Sequence, residues 1–433
     1  MLNVFGTRTG ATCDGATRRD FMKIGALGMG ALTLPGLLKA RAEQTKLGKQ
    51  TKNTSVVWLW LGGGPTHVET FDPKMSAPVE FRSVTGAVQT NVKGIEIGGT
   101  FEKMAKVADK MAFVRSFAHS NSGHGGGTHW VMTGYNFVAA DNGGGQSKPG
   151  MGSILSRYRG ANAPTGLPTY VRMNGIGGDG PAWLGAPFAP FDVAGRARQN
   201  MNLAVPMDRL TERKDLLKGI DTLERDIDNS GLMAGLDSFE GQAFDLILSK
   251  AKETFDIKNE NPKTLEKYGK GLGEQMLLAR RLCENGVGFV TLNYGGWDMH
   301  GNIGNAMKQR SPQLDQAVSA FVSDIAERGL DKNVLLVISG EFGRTPRINN
   351  NAGRDHWAPL STLALSGGGL KMGQTVGEST AKAETPKSTP TSPQDLMATV
   401  FHVLGIPQDV HFKDPSGRPS PMLNGGKPIS ELV

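Results

Sequence analysis

The order of apolar and polar segments predicts an α/β fold: a doubly wound, mostly parallel central sheet with helices on both faces and a helical insertion. Three observations lead there. Short continuous apolar runs, of the kind that form strands buried on both faces, recur along the 433 residues. Amphipathic stretches separate them, the alternation expected of a parallel sheet. Several of the strand-like runs end directly in polar, glycine-rich sequence, and in such sheets ligands bind beyond the carboxyl ends of the strands.

The elements follow in order. Thr17-Arg18-Arg19-Asp20-Phe21-Met22-Lys23, the apolar stretch Ile24–Leu38 and Ala40-Arg41-Ala42 read as a secretory signal over residues 1–42. The arginine pair addresses it to the twin-arginine (Tat) translocase, and the expected location is the periplasm or beyond. Its apolar run is about fifteen residues, short of the ~20 that span a bilayer, and no second run is long enough. Residues 43–433 are the expected folded part, with a polar leader to residue 54. Val56–Leu61 reads as a central strand, Phe101–Lys110 as helix, Met111–Phe117 and Leu167–Met173 as strands, with short helices at Trp130–Tyr135 and Met151–Tyr158 between them. Residues 207–285 are rich in Leu, Lys, Glu and Asp at helical spacing and read as a helical insertion or cap. Val287–Leu292, Asn333–Ile338 and Thr362–Leu365 are further strands. Leu314–Arg328 and Asp395–Leu404 are helices, the second opened by Ser392-Pro393 and closed by Gly405. Residues 378–393 read as an exposed loop.

Composition narrows the function. Net charge is +7, but residues 1–42 hold six basic and two acidic residues, so the remainder is near neutral at +3 and a nucleic-acid partner is not expected. Cys13 lies in the signal; Cys283, alone in the rest and in an apolar helical setting, reads as a small buried hydrophobe.

Six of the eight histidines fall in the post-strand segments: His67, His119, His124, His129, His300 and His356. The carboxylates Asp72, Asp298, Glu341 and Asp355 accompany them. Imidazole and carboxylate together suit a divalent cation. Asp298-Met299-His300 lets two ligands of one extended segment face the same way. The competing reading for each histidine is a turn cap or a backbone hydrogen bond. Arg344 offers a planar fork for an anion, or a structural ion pair to a loop acid. Trp297 and Trp357 wall the site or stack on a sugar ring. Gly123–Gly127 resembles a phosphate-cradling loop in composition only.

The ordered set Gly62-Gly63-Gly64-Pro65-Thr66-His67, Phe71-Asp72-Pro73-Lys74, His124, Thr133-Gly134, Trp297-Asp298-Met299-His300-Gly301, Gly340-Glu341-Phe342-Gly343-Arg344-Thr345-Pro346 and Gly353-Arg354-Asp355-His356-Trp357 resembles the DUF1501 family, Tat-exported bacterial proteins. That family is in turn similar to the alkaline phosphatase/sulfatase superfamily. The resemblance implies an alkaline-phosphatase-like fold and one or two divalent metal ions, with zinc first and calcium, magnesium or manganese as alternatives. It implies a first metal on Asp298, His300 and His356, and a second helped by His67 or Asp72, His124 and Glu341, with His129 and Asp355 as further candidates. Where the superfamily carries a hydroxyl nucleophile about nine residues before Thr-Gly, this chain has His124; Ser122 is two residues earlier. His124 is thus a metal ligand, a nucleophile or a general acid, and Ser122 a nucleophile or a turn residue. The implied activity is hydrolysis of a phosphate or sulfate ester, with a small-molecule or glycan ester anion as partner and Arg344 on the anion. The alternative is a non-catalytic metal-containing binding or assembly protein, or a glycan-binding one using the tryptophans.

Overall fold

A computed structural model describes residues 53–194 and 251–433. The signal over residues 1–42 and residues 207–250 of the expected insertion lie outside the described residues. The central sheet has eight strands: β1 (Ser55–Trp60), β2 (Met111–Val114), β3 (Tyr170–Met173), β4 (Phe191–Asp192), β5 (Phe289–Asn293), β6 (Val334–Ser339), β7 (Leu363–Gly367) and β8 (Gln374–Val376). Their order across the sheet is β8-β2-β7-β6-β1-β5-β3-β4. Only β7 runs antiparallel, paired with β6 and β2; the other pairings are parallel. The sheet is therefore mostly parallel, as its apolar runs predict.

The described helices are α1 (His67–Thr70), α2 (Glu102–Ala105), α3 (His124–Thr133), α4 (Met151–Arg159), α5 (Ala251–Phe255), α6 (Pro262–Tyr268), α7 (Leu272–Glu284), α8 (Ile303–Glu327) and α9 (Pro393–Leu404). β1 shows why its sequence is apolar throughout. Side chains alternate across a strand. Val57, Leu59 and Leu61 join a core with Met104 of α2, Met276 of α7 and Leu314 and Phe321 of α8. Val56, Trp58 and Trp60 join a second core with Met132 of α3, Ile154 of α4 and Leu396 and Phe401 of α9. The sheet is thus covered on both faces and doubly wound. Of the stretch expected as an insertion or cap, residues 262–285 are part of the first of these helical layers, because Met276, Leu277 and Leu282 are buried against it. Cys283 is buried there, and burial pushes its thiol up to about 12, which leaves it unreactive.

Two helices are longer than the sequence suggests. α8 begins at Ile303, ahead of the expected start at Leu314, and continues through Pro312. α3 begins at His124 and takes in Gly125-Gly126-Gly127. Each glycine costs a helix about 1 kcal/mol relative to alanine, so by propensity this run reads as loop. Contact decides otherwise. A Cβ on Gly125 would lie 2.4 Å from the Ala140 carbonyl oxygen, and one on Gly127 2.9 Å from that of Glu341. The glycines let a helix pass where a larger side chain has no room. The segment over 378–393 is also tied down: the Ala383 carbonyl bonds the His67 ring and that of Glu384 accepts from Trp357.

Candidate functional site

The carboxyl ends of β5, β1 and β6, neighbours at the centre of the sheet, deliver the segments that meet. After β1 the chain turns through Gly63, at φ +112°, a conformation that suits glycine. A Cβ there would lie 2.5 Å from the Asp298 amide nitrogen, so the β1 and β5 loops touch through backbone. After β6, a two-residue ribbon pairs Arg344 with His356. Directly opposed residues of an antiparallel pair share a face, which turns Arg344 and His356 toward the same point.

That point is the Asp298 carboxylate. The His300 Nε2 lies 2.9 Å and the His356 Nε2 3.2 Å from its Oδ1. The two Nε2 atoms are 3.1 Å apart. On the other oxygen, Oδ2, the His124 Nε2 lies at 3.6 Å. Ligand atoms of His124, Asp298 and His356 all fall within 4.8 Å of one another. The centre faces solvent: the side chains of His124, Asp298 and His300 are between 43% and 47% exposed.

Each imidazole is held by its other ring nitrogen. His300 Nδ1 is 2.7 Å from Asp355 Oδ1, His124 Nδ1 is 2.7 Å from Glu341 Oε1, and His356 Nδ1 is 2.9 Å from the Ser122 carbonyl oxygen. These partners are acceptors, so a proton on each Nδ1 satisfies them and, in the neutral tautomer, leaves the unshared pair at each Nε2 directed inward. Burial, reinforced by Arg344, lowers the His356 pKa and favours that neutral form. With the rings in that tautomer, three nitrogens and a carboxylate face one another. A divalent cation fits that arrangement, and an outer acceptor on each imidazole is the usual support of a metal-binding histidine. The donor set fits a divalent ion of borderline character, zinc or manganese among them.

Electrostatics hold Asp298 ready. Burial alone would raise its carboxyl, but Arg344 outweighs this, and its pKa is about 2. The Glu341 hydrogen bond raises the pKa of His124. Phe342 walls the cluster, its ring centroid 4.4 Å from that of His356 and 5.0 Å from that of His124.

The remaining sequence-predicted residues are placed as follows. Arg344 is fully buried. Its Nε donates to the Gly64 carbonyl at 2.8 Å, Nη1 to that of Arg354 at 3.1 Å, and Nη2 to Asp298 Oδ1 and the Gly63 carbonyl. The fork therefore grips protein oxygens and presents no face to an incoming anion. The Ser122 hydroxyl accepts from the Ala358 amide at 3.1 Å. Asp355 supports His300. Glu341 supports His124 and also accepts from the Gly63 amide at 2.8 Å. His67, Asp72 and His129 stand outside the cluster. His67 bonds the Ala383 carbonyl, Asp72 is tied to Lys74, Arg115 and Ser379, and His129 bonds the Tyr135 carbonyl and accepts from the Ser147 amide. His119, half-buried, bonds the Glu341 carbonyl at 2.7 Å. Trp297 is fully buried and donates to the Tyr294 carbonyl, so it lines the interior and cannot stack on a ligand. Asn349 went unread in the sequence: its amide holds both Asp355 oxygens, at 3.3 and 3.2 Å. Nothing in its local sequence marks it.

His67 and His119 carry a pH prediction. Burial lowers the pKa of His67 and of His119 from 6.5 to about 4. Between those values the unfolded chain binds protons that the folded chain refuses, so stability falls as pH drops through this window. For His67, 3% exposed, the slope approaches about 1.4 kcal/mol per pH unit. Melting curves of wild type and His67→Gln between pH 7 and 4 check this: the wild-type decline is steeper, and parallel declines contradict it.

Fold and site together define an α/β protein with a histidine–carboxylate centre at the carboxyl ends of a doubly wound sheet. Residues 53–433 match the family described as "Protein of unknown function (DUF1501)", and the chain belongs to that family. No curated relative matches it. Among solved structures it is similar to the PsFucS1 sulfatase from Pseudoalteromonas sp., at 12% identity over 86% of this chain and 71% of that one, TM-score 0.40. It is similar to the lipoteichoic acid synthase LtaP from Listeria monocytogenes, at 9% over 88% and 76%, TM-score 0.38. It is also similar to the alkaline phosphatase of the Antarctic bacterium TAB5, at 11% over 83% and 100%, TM-score 0.35. At these identities the likeness concerns the course of the chain, and no residue takes a role from it.

Proposed function

We propose that this protein is an exported, metal-dependent hydrolase of a phosphate or sulfate ester, acting on a small-molecule or glycan ester anion. The observation that carries the reading is the convergence of the Nε2 atoms of His124, His300 and His356 on Asp298, each ring anchored from behind. Asp298, His300 and His356 would hold the ion, since their donor atoms lie 2.9 to 3.2 Å apart. When bound, a divalent cation supplies Lewis acidity toward an ester oxygen. The chain's own residues do the rest. Arg344 and the Gly63 turn fix Asp298. His124 moves a proton at Nε2, and Glu341 holds the ring at Nδ1 so that this nitrogen faces the centre. Export rests on Arg18-Arg19 and the apolar run behind them.

Two observations favour a second reading, a non-catalytic metal-containing binding or assembly protein. The Ser122 hydroxyl and the Arg344 fork are both engaged within the protein. Aryl phosphates and aryl sulfates assayed with added metal separate the readings. The hydrolase turns over at least one, and His124→Ala lowers kcat by about 10²–10⁴ while bound metal, measured by elemental analysis, stays constant. Silence of the metal-loaded wild type across the panel favours the binding protein.

A further inference from the structure

We propose that the centre takes a single divalent cation per chain, and that the Arg344 guanidinium permanently fills the place of a second. This deepens the metal-dependent reading above and rests on it.

The guanidinium sits in a cage of oxygens. Its N–H groups meet the carbonyl oxygens of Gly63, Gly64 and Arg354 and Oδ1 of Asp298, and the side chain is fully buried. Three carbonyls and a carboxylate are the donors a hard cation takes; here a fixed organic cation has them. Of the other groups named for a second ion, His67, Asp72 and His129 bond elsewhere. Glu341 shares Oε1 between the Gly63 amide and His124, while its buried Oε2 has no partner. Among the described residues one group of three convergent metal-type ligands is found.

Charge points the same way. Asp298, Glu341 and Asp355 each bring a negative charge into the network, and Arg344 brings one positive charge. One divalent ion neutralises the difference. A second would leave a net positive centre.

Equilibrium dialysis of the full, chelator-stripped chain against Mn²⁺, followed by elemental analysis, tests this. The wild type retains one equivalent and Asp298→Ala retains none. Arg344→Ala, which empties the oxygen cage, gains a second, weaker equivalent; Arg344→Gln serves where the alanine variant does not fold by circular dichroism. Two equivalents in the wild type overturn the single-ion proposal and leave the metal-dependent reading intact. No gain in a folded Arg344 variant overturns the part given to the guanidinium. No bound ion in the wild type overturns the metal-dependent reading and this proposal together.

Discussion

On the proposed metal-dependent reading, Asp298→Ala abolishes binding of the divalent ion, and it also lowers the melting temperature of the metal-free form. The first effect follows from geometry: Asp298 is the group that His300, His356 and His124 all face. Without it, three imidazoles remain with no carboxylate at their meeting point to offset a cation. The second follows from Arg344, which is fully buried and would lose its ion-pair partner. A buried donor left unsatisfied costs about 1–3 kcal/mol. Asp298→Asn keeps an oxygen for the guanidinium, so it loses metal while recovering part of the stability. Metal content and thermal melts of both variants, each with and without chelator, are the measurement. An alanine variant that keeps its metal, or that melts with the metal-free wild type, contradicts the arrangement.

The second large effect is expected at Glu69 and Arg354, a pair with no exposure on either side chain and an Nη2–Oε1 distance of 3.0 Å. Glu69 also accepts from the Ser83 hydroxyl and the Val84 amide, while Arg354 donates to the carbonyls of Arg82, Thr345 and Pro346. The pair thereby fastens the chain around residues 345–355, next to Asp355 and His356, to the first helix after β1. Arg354→Met leaves a carboxylate buried without its counter-ion, and loss of one partner of such a pair costs about 3–5 kcal/mol. Glu69→Gln together with Arg354→Met recovers much of that, because no uncompensated charge remains. Denaturant titrations of the single and double variants check both steps. A single variant as stable as wild type rules out the fastening role. The same single variant is expected to hold its metal less tightly, since His356 sits two residues along.

How much of this can be read from sequence depends on where the information lies. Val56–Leu61 is legible because both of its faces are apolar, and the positions after β5 and β6 are legible because parallel sheets gather their loops at one edge. Asp298, His300 and His356 are grouped by the resemblance to the alkaline phosphatase/sulfatase superfamily, and they lie together. The start of α3 is not legible: the reason for Gly125–Gly127 is the closeness of Ala140 and Glu341, which no local pattern records. The same holds for His67, Asp72 and His129. Their residue types and settings match those of the cluster, and only tertiary partners such as Ala383, Ser379 and Ser147 separate them from it. Arg344 has the chemistry of an anion clamp, and its sequence does not disclose that three carbonyls already surround it. Residue type states what a side chain can do; burial and partners decide what it is free to do.

One consequence concerns the placement of Val433. Asn53 and Val433 line the same cavity of about 380 Å³, with Asn333 and Gly368 beside them. This is the edge of the sheet where β1 and β6 begin, about 20 Å of strand away from the loops where they finish. Anchoring the molecule to a resin or an electrode through Val433 therefore leaves the imidazole-lined mouth pointing outward.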